Sequence, residues 1–281
     1  MTIRETIKKG MINLKTNGIE EQNLKARLLM QFILNKPRQY LLIYDNQTLS
    51  LRQEVNYFKA IKKIISGVPL QHITHMQEFM KMNFYVDENV LIPRSDTEIL
   101  VEEVINISKK INAKKILDLC TGSGAIAISL AKYIENSEIT AVDISKKALE
   151  IARTNAKNND VENQITFVES DLFKNLKEDK YDVIVSNPPY IKREVIKKLN
   201  KDVQKEPMIA LDGGYDGLDF YRKIINESEK YLKFNGYLCF EIGYDQKEDV
   251  IGIIKNKERY INTYSKKDLY GNDRIIITKL S

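Results

Sequence analysis

The stretch ILDLCTGSGAIA (residues 116–127) decides the fold that the sequence predicts. It begins as a short apolar strand, turns through Gly-x-Gly and continues as a helix, with Ala127 as a third small residue for close helix–strand packing. The next apolar run ends at Asp143, 21 residues after Gly122, about where a carboxylate binds ribose hydroxyls. The sequence therefore predicts a nucleoside-binding site at the carboxyl end of a strand.

Strand and helix patterns alternate outward from this stretch. Short apolar runs predict strands at 116–119, 139–142, 165–168, 183–185, 237–240 and 275–278. Between them, amphipathic patterns predict helices at 125–133, 145–158, 218–232 and 246–255. This alternation predicts an α/β fold, with an open and mainly parallel sheet covered by helices on both faces.

Asp118 bears on which nucleoside is bound. A carboxylate directly before the glycines would repel a pyrophosphate at the helix N-terminus, which disfavours a dinucleotide. S-adenosylmethionine has no phosphate and carries a sulfonium and an ammonium, so the same carboxylate favours it. A purely structural role for Asp118 as a helix cap is the alternative.

The first 70 residues have a different pattern, typical of a small helical bundle. Apolar residues recur every three or four positions in segments 2–15, 19–34 and 51–65, and we expect the following to face its core: Leu24, Leu28, Phe32, Val55, Phe58, Ile61 and Ile65. We predict a helical substrate-docking domain at 1–70, a linker with a strand pair at 71–94, and a methyltransferase domain at 95–281. Ser95 and Glu98 have the spacing of a capping box, which predicts a helix with Ser95 as its N-cap.

Charge and composition restrict the class of protein. The chain has 281 residues, of which 43% are hydrophobic and 30% charged, as expected of a folded protein. Segment 1–70 has a net charge of +7 and the remainder −2, so this end favours either a partner with a negative surface or an ordinary solvated lysine face. Two cysteines, Cys120 and Cys239, form no disulfide framework, and no apolar run resembles a signal peptide or membrane span. We expect a cytoplasmic protein without membrane contact.

Two histidines are the candidates for a metal site. His72 and His75 have a possible ligand spacing, but no cysteine or helical glutamate accompanies them. We therefore predict no metal.

The tetrapeptide Asn187-Pro188-Pro189-Tyr190 ends a predicted strand and carries the second chemical signal. Two prolines restrict φ and remove two backbone donors, so the neighbouring carbonyls form a rigid acceptor surface. An amide or amino nitrogen is a poor nucleophile, and hydrogen bonds to the Asn187 side-chain oxygen and the Pro188 carbonyl would orient it. Tyr190 offers a stacking surface for a planar group.

With its flanking motifs, this tetrapeptide resembles that of a known family. The chain is similar to the PrmC/HemK family of peptide chain release factor glutamine methyltransferases in GVPLQHI (67–73), VLIPR (90–94), DLCTGSG (118–124), EP (206–207), AL (210–211), GGYDGL (213–218), FEIG (240–243) and GNDR (271–274).

The resemblance implies a Rossmann-like class I methyltransferase sheet and a reaction. A methyl group would pass from S-adenosylmethionine to the side-chain amide of the glutamine in the Gly-Gly-Gln loop of class 1 release factors, modulating translation termination. It also implies that Asn187 and Pro188 are catalytic, that Asn187, Pro188, Pro189 and Tyr190 bind the glutamine, and that the cofactor contacts Asp118, Cys120, Thr121, Gly122, Ser123, Gly124, Asp143, Leu172 and Asn187.

Two of these positions depart from the family pattern. Cys120 stands where glycine is frequent, which matters little if the backbone makes the contact. Leu172 stands where an aromatic residue is frequent, which leaves less stacking on the adenine.

Two other functions are compatible with parts of the pattern. A DNA adenine-N6 methyltransferase needs the same acceptor surface. However, it must flip a base and usually has a substantial recognition domain, and in this chain only the first 70 residues could provide one. A non-enzymatic role, in which a degenerate methyltransferase domain serves only as a binding module, is disfavoured. The residues expected for cofactor and acceptor binding are all present: Asp118, Gly122, Gly124, Asp143 and Asn187. We expect a monomer that binds release factors and forms no stable nucleic-acid complex.

Overall fold

The structure is a computed structural model that describes residues 1–281. It divides into two compact units. The first contains Met1–His75 with Asn200–Lys205, and the second contains Met76–Leu199 with Glu206–Ser281. None of the helices is both long enough and apolar enough to cross a membrane.

The first unit is helical. Its helices are α1 (Ile3–Thr16), α2 (Gln22–Leu34), α3 (Arg38–Ile43), α4 (Leu51–Ile65) and α5 (Leu70–Thr74). Both α1 and α4 begin with a capping box, made by Thr2 with Glu5 and by Ser50 with Gln53. The fully buried Tyr57 on α4 donates its hydroxyl hydrogen to the carbonyl of Ala26 at 3.1 Å, which satisfies its polar end inside the core.

The predicted core face of this unit is partly wrong. Leu24, Leu28 and Phe32 on α2 are 52%, 38% and 45% exposed, and Val55 on α4 is also exposed. The buried residues of α2 are instead Ala26, Leu29 and Met30. Because α2 carries apolar residues on more than one face, spacing alone does not show which face packs against α1 and α4.

The second unit contains a two-stranded hairpin and a seven-stranded sheet. The hairpin pairs β1 (Gln77–Phe79) with β2 (Met82–Phe84), in agreement with the predicted strand pair. The sheet consists of β3 (Lys115–Leu119), β4 (Glu138–Asp143), β5 (Ile165–Glu169), β6 (Tyr181–Ser186), β7 (Leu232–Glu241), β8 (Tyr260–Lys267) and β9 (Asp273–Leu280). Their order is β5-β4-β3-β6-β7-β9-β8, and β9 alone runs in the opposite direction to the other six strands. The mainly parallel sheet is confirmed.

Helices cover both faces of this sheet, as predicted. They are α6 (Ser95–Ile111), α7 (Ala125–Tyr133), α8 (Lys146–Asn158), α10 (Asp219–Ser228) and α11 (Lys247–Lys255); a further single turn, α9 (Arg193–Ile196), follows β6. Successive residues of one strand point to opposite faces, so Ile116 packs in a core with α6 and α7, whereas Leu117 packs in a second core with α10 and α11. The sheet is therefore buried on both sides, which explains the short continuous apolar runs in its strands.

Two local expectations for this unit differ from the structure. Strand β8 was not predicted, because it is a largely exposed edge strand with polar and lysine residues rather than an apolar run. The capping box at Ser95 is wrong: α6 begins at Ser95, its cap residue is Arg94, and no side chain caps it. The Glu98 carboxylate accepts instead from the backbone N–H of Met80 at 2.6 Å, a tertiary partner that replaces the local one.

Candidate active site

A cleft opens at the carboxyl ends of the central strands. The chain extends from β3 to β4 and β5 on one side and returns to β6 on the other, so the strand order reverses between β3 and β6. Open α/β sheets bind ligands at such a reversal. The cleft has a volume of about 780 Å³, part of which is open to solvent, and its lining includes Gly122, Asp143, Leu172, Asn187 and Pro189. The structure thus brings both sequence motifs to one cavity.

The glycine turn forms one side of this cleft. Cys120, Gly122 and Gly124 have positive φ angles of 61°, 55° and 81°, so the chain reverses sharply between β3 and α7. A Cβ on Gly124 would lie 2.8 Å from Cδ1 of Ile128 and 3.1 Å from Cβ of Ala152, closer than packed atoms tolerate. Gly122 has open space where its Cβ would be, on the cleft side. Gly124 therefore serves helix packing, and Gly122 serves access to the cleft.

Asp118 lies behind this turn. Its carboxylate Oδ2 accepts from the hydroxyl of Thr121 at 2.6 Å and from the backbone N–H of Ala127 at 3.2 Å, which joins the turn to α7. The residue is fully buried and its Oδ1 has no hydrogen-bond partner. Burial raises the pKa of Asp118 to about 7, against the opposing effect of its two hydrogen bonds. Asp118, Thr121, Ser123 and Gly124 brace the turn without lining the cleft.

Asp143 ends β4 and lines the cleft directly. Its Oδ2 accepts from the N–H of Gly122 at 2.9 Å, and its Oδ1 accepts from the N–H of Ser145 at 2.8 Å. Burial raises the pKa of this carboxyl group, and the backbone hydrogen bonds oppose the rise. Each carboxylate oxygen has further acceptor capacity, which a vicinal diol is suited to use.

The rest of the cleft is mostly apolar. Leu172 is buried, has a φ of 53°, and packs with Val142 and Phe173. Phe220 on α10 also lines the cleft, although nothing in its local pattern distinguishes it from a core residue. The lining contains the carboxylates of Asp143 and Asp171, of which Asp171 forms an ion pair with Lys174, and it contains no lysine or arginine. Such a cavity suits a cationic nucleoside without phosphate, and the residues present therefore fit S-adenosylmethionine.

The tetrapeptide at 187–190 forms the other side of the cleft. Ser186 ends β6 and donates its hydroxyl hydrogen to the Leu119 carbonyl at 2.8 Å, which ties β6 to the end of β3. Asn187 and Pro189 line the cleft, whereas Pro188 and Tyr190 do not. The Tyr190 carbonyl accepts from Nε2 of Gln246 at 2.9 Å. These contacts fix the turn from both ends.

A glycine of the GGYDGL motif supports the same turn. A Cβ on Gly213 would lie 2.8 Å from both Cα and the carbonyl carbon of Tyr190. Only a residue without a side chain therefore permits this approach of the two backbones.

A buried polar network backs the tetrapeptide. The side-chain nitrogen of Asn187 donates to Oγ1 of Thr97 at 3.2 Å, and Thr97 donates to Oε2 of Glu241 at 2.6 Å. The Tyr190 hydroxyl donates to Oε1 of the same carboxylate at 3.2 Å. Burial raises the pKa of Glu241 to about 7, although the hydrogen bonds and the nearby Arg274 oppose the rise.

Sequence reasoning missed the roles of Thr97 and Glu241. Thr97 was only an unremarkable position inside the expected capping box. The one available signal was Glu241 itself, an acid between the apolar residues Phe240 and Ile242 at the end of a strand.

Another buried carboxylate, Glu206, lies next to residues that line the cleft. Glu206 is buried, accepts from the backbone N–H of Ile92 at 2.8 Å, and forms an ion pair with Arg94. Pro207 and Ile209, directly after it, line the cleft. The VLIPR and EP motifs are therefore in contact, although they are far apart in the sequence.

Comparison with known proteins agrees with this geometry. Residues 5–74 match the family model of the PrmC N-terminal domain, and residues 95–208 match that of the Methyltransferase small domain. The release factor glutamine methyltransferase of Clostridium acetobutylicum is 39% identical over 99% of this chain and 98% of its own. That of Moorella thermoacetica is 36% identical over 99% of this chain and 98% of its own.

Among solved structures, the catalytic domain of hMettl16, in complex with a MAT2A 3'UTR hairpin, has a similar fold. Its TM-score is 0.58 at 16% identity, covering 75% of this chain and 80% of that one. This likeness concerns the fold alone.

Proposed function

Because the chain belongs to the family of release factor glutamine methyltransferases, we propose that it methylates the glutamine of the Gly-Gly-Gln loop in class 1 peptide chain release factors. The acceptor is the side-chain amide nitrogen, and the methyl donor is S-adenosylmethionine. When bound, this cofactor supplies an electrophilic methyl group on a sulfonium. The observation that carries the proposal is the single cleft that Gly122 and Asp143 share with Asn187 and Pro189.

The cofactor half of the cleft is suited to binding and orientation. Asp143 would accept the ribose hydroxyls while its bonds to the turn hold its carboxylate in place. The backbone of Cys120 and Gly122 would approach the methionine moiety, and Leu172 would contact the adenine by apolar packing. The Asp143 carboxylate and the lack of a basic side chain in the lining favour a cationic ligand.

The acceptor half is suited to presenting a nitrogen. The amide of glutamine is a weak nucleophile because its lone pair is delocalised into the carbonyl. A hydrogen bond from its NH₂ to the side-chain oxygen of Asn187, which lines the cleft, would orient the nitrogen and favour the positive charge that develops on it. A proton must leave this nitrogen as the methyl group is transferred, and it passes to water, because neutral amide oxygens accept a hydrogen bond but are too weakly basic to hold the proton.

Recognition of the release factor requires surface beyond the cleft, because one exposed glutamine differs little from another. We assign this role to the helical unit, whose first 70 residues carry a net charge of +7. A partner involved in translation further supports our proposal of a cytoplasmic location.

The proposal is tested by transfer of label from S-adenosylmethionine. The intact chain is incubated separately with a class 1 release factor, with the same factor carrying asparagine in place of the loop glutamine, and with duplex DNA. We expect label only on the unaltered release factor, at the loop glutamine. Label on adenine would instead support a DNA adenine-N6 methyltransferase, and equal label on both release factors would exclude the assigned acceptor.

A further inference from the structure

The orientation of the Asn187 side chain decides whether it can serve the acceptor nitrogen. An asparagine amide has one oxygen, which accepts, and one NH₂, which donates. The NH₂ of a glutamine substrate needs the side-chain oxygen of Asn187. If the Asn187 amide were flipped, its own NH₂ would face the NH₂ of the glutamine, and two donors would meet. Some feature of the protein must therefore distinguish the two orientations.

The hydrogen bonds behind Asn187 run in one direction. When Glu241 is ionised, the form that Arg274 and the hydroxyls of Thr97 and Tyr190 favour, its carboxylate only accepts and therefore receives the single hydrogen of the Thr97 hydroxyl, at 2.6 Å. That hydroxyl then has only lone pairs for Asn187, and the contact of 3.2 Å requires the NH₂ end of the amide. The direction is set by chemistry, since reversing Asn187 would bring two acceptors together.

Glu241 also fixes the far end of the same turn. Its other carboxylate oxygen accepts from the Tyr190 hydroxyl at 3.2 Å, and the residue is only 2% exposed. Thr97 is 5% exposed and lies in the first turn of α6. Low exposure excludes the water that would otherwise compete for these groups and let the amide turn.

We propose that Thr97 and Glu241 are positioning residues that hold the Asn187 amide with its oxygen toward the acceptor nitrogen. This inference rests on the proposed function. Thr97 acts only through Asn187, so its contribution disappears when Asn187 has no amide to orient.

The test is a double-mutant cycle in the full-length protein. Thr97→Val keeps the shape of the side chain and removes the hydroxyl, and Thr97→Ser keeps the hydroxyl. We expect Thr97→Val to lower kcat on release factor about tenfold, with cofactor affinity by calorimetry within about twofold, and Thr97→Ser to restore most of the activity. In an Asn187→Ala background, Thr97→Val should change kcat by less than about twofold.

A matched control comes from another buried threonine. Thr278 is fully buried on β9 and its hydroxyl is hydrogen-bonded to Ile261 and Thr263, outside the cleft. Thr278→Val should leave kcat unchanged, which separates the specific effect from the general cost of removing a buried hydroxyl.

Three results would overturn the inference. They are a Thr97→Ser variant as slow as Thr97→Val, a tenfold loss that persists in the Asn187→Ala background, or a fall in cofactor affinity that matches the fall in kcat. A wild-type protein that does not label release factor would instead contradict the proposed function, so the two failures are distinguishable.

Discussion

The two sides of the cleft are stabilised in different ways. The cofactor wall, residues 118–124 with Asp143, is held by contacts between residues 3, 9 and 21 positions apart in the chain. The acceptor wall, residues 187–190, is held by Thr97, Glu241 and Gln246, at separations of 90, 51 and 56. The cofactor wall is thus built from one strand–turn–helix segment and the end of the next strand, whereas the acceptor wall depends on the assembled sheet.

The difference predicts that changes in the two walls affect different quantities. Damage to the cofactor wall should lower cofactor affinity or local stability, and damage to the acceptor wall should lower turnover. Three single substitutions test this division, and a double substitution outside both walls tests docking.

The largest effect is expected from Asn187→Ala in the acceptor wall. Loss of a preorganised polar group at the reacting atom should reduce kcat by roughly 10²-fold or more, with cofactor affinity largely intact. Turnover measured with labelled cofactor and affinity measured by calorimetry give the two quantities. Parallel losses in both would mean that the walls are not functionally separate.

Asp118→Asn tests the cofactor wall through stability. Because burial raises the pKa of Asp118 from 3.8 to about 7, the folded state binds a proton more tightly than the unfolded state. Its contribution to the free energy of unfolding is therefore present at low pH and is lost as pH rises from about 4 to 7.

Denaturant unfolding at several pH values measures this effect. Between pH 5 and 7.5 the wild type should lose on the order of 2 kcal/mol more stability than Asp118→Asn. Parallel pH profiles for the two proteins would show that Asp118 does not titrate in this range.

Asp143→Ala should weaken the cofactor site without affecting the orientation of Asn187. Removal of charge-assisted hydrogen bonds, worth roughly 1.5–3 kcal/mol, should reduce S-adenosylmethionine affinity about tenfold or more. At saturating cofactor, kcat should recover most of its wild-type value. Unchanged affinity in calorimetry would remove Asp143 from the cofactor site.

The smallest effect is expected outside both walls. Lys8 and Lys9 are exposed on α1, and their double substitution by glutamate should raise KM for release factor several-fold, most strongly at low salt, with kcat unchanged. Lys109 and Lys110, exposed on α6, provide a control with the same change of charge. Equal effects from the two pairs would argue against docking by the helical unit.

Local segments of the chain determined much of this protein in advance. The apolar run before Gly122, the small residues after it and the acid at position 143 predicted the strand, the turn and their ligand class, because these features act within a short segment. The motif at 187–190 likewise predicted a rigid hydrogen-bond acceptor surface from local sequence, because each proline restricts its own backbone.

Tertiary structure alone decided which faces pack and which side chains meet. Leu24 and Leu28 have helical spacing as regular as that of buried residues. They are exposed because a different face of α2 packs against the neighbouring helices. Glu98 had a suitable local partner, and the Met80 N–H replaced it. Thr97 and Glu241 lie 144 residues apart, and no local rule joins them. Their hydrogen bond exists because the sheet brings the end of β7 beside the start of α6, and that proximity is a property of the fold rather than of either segment.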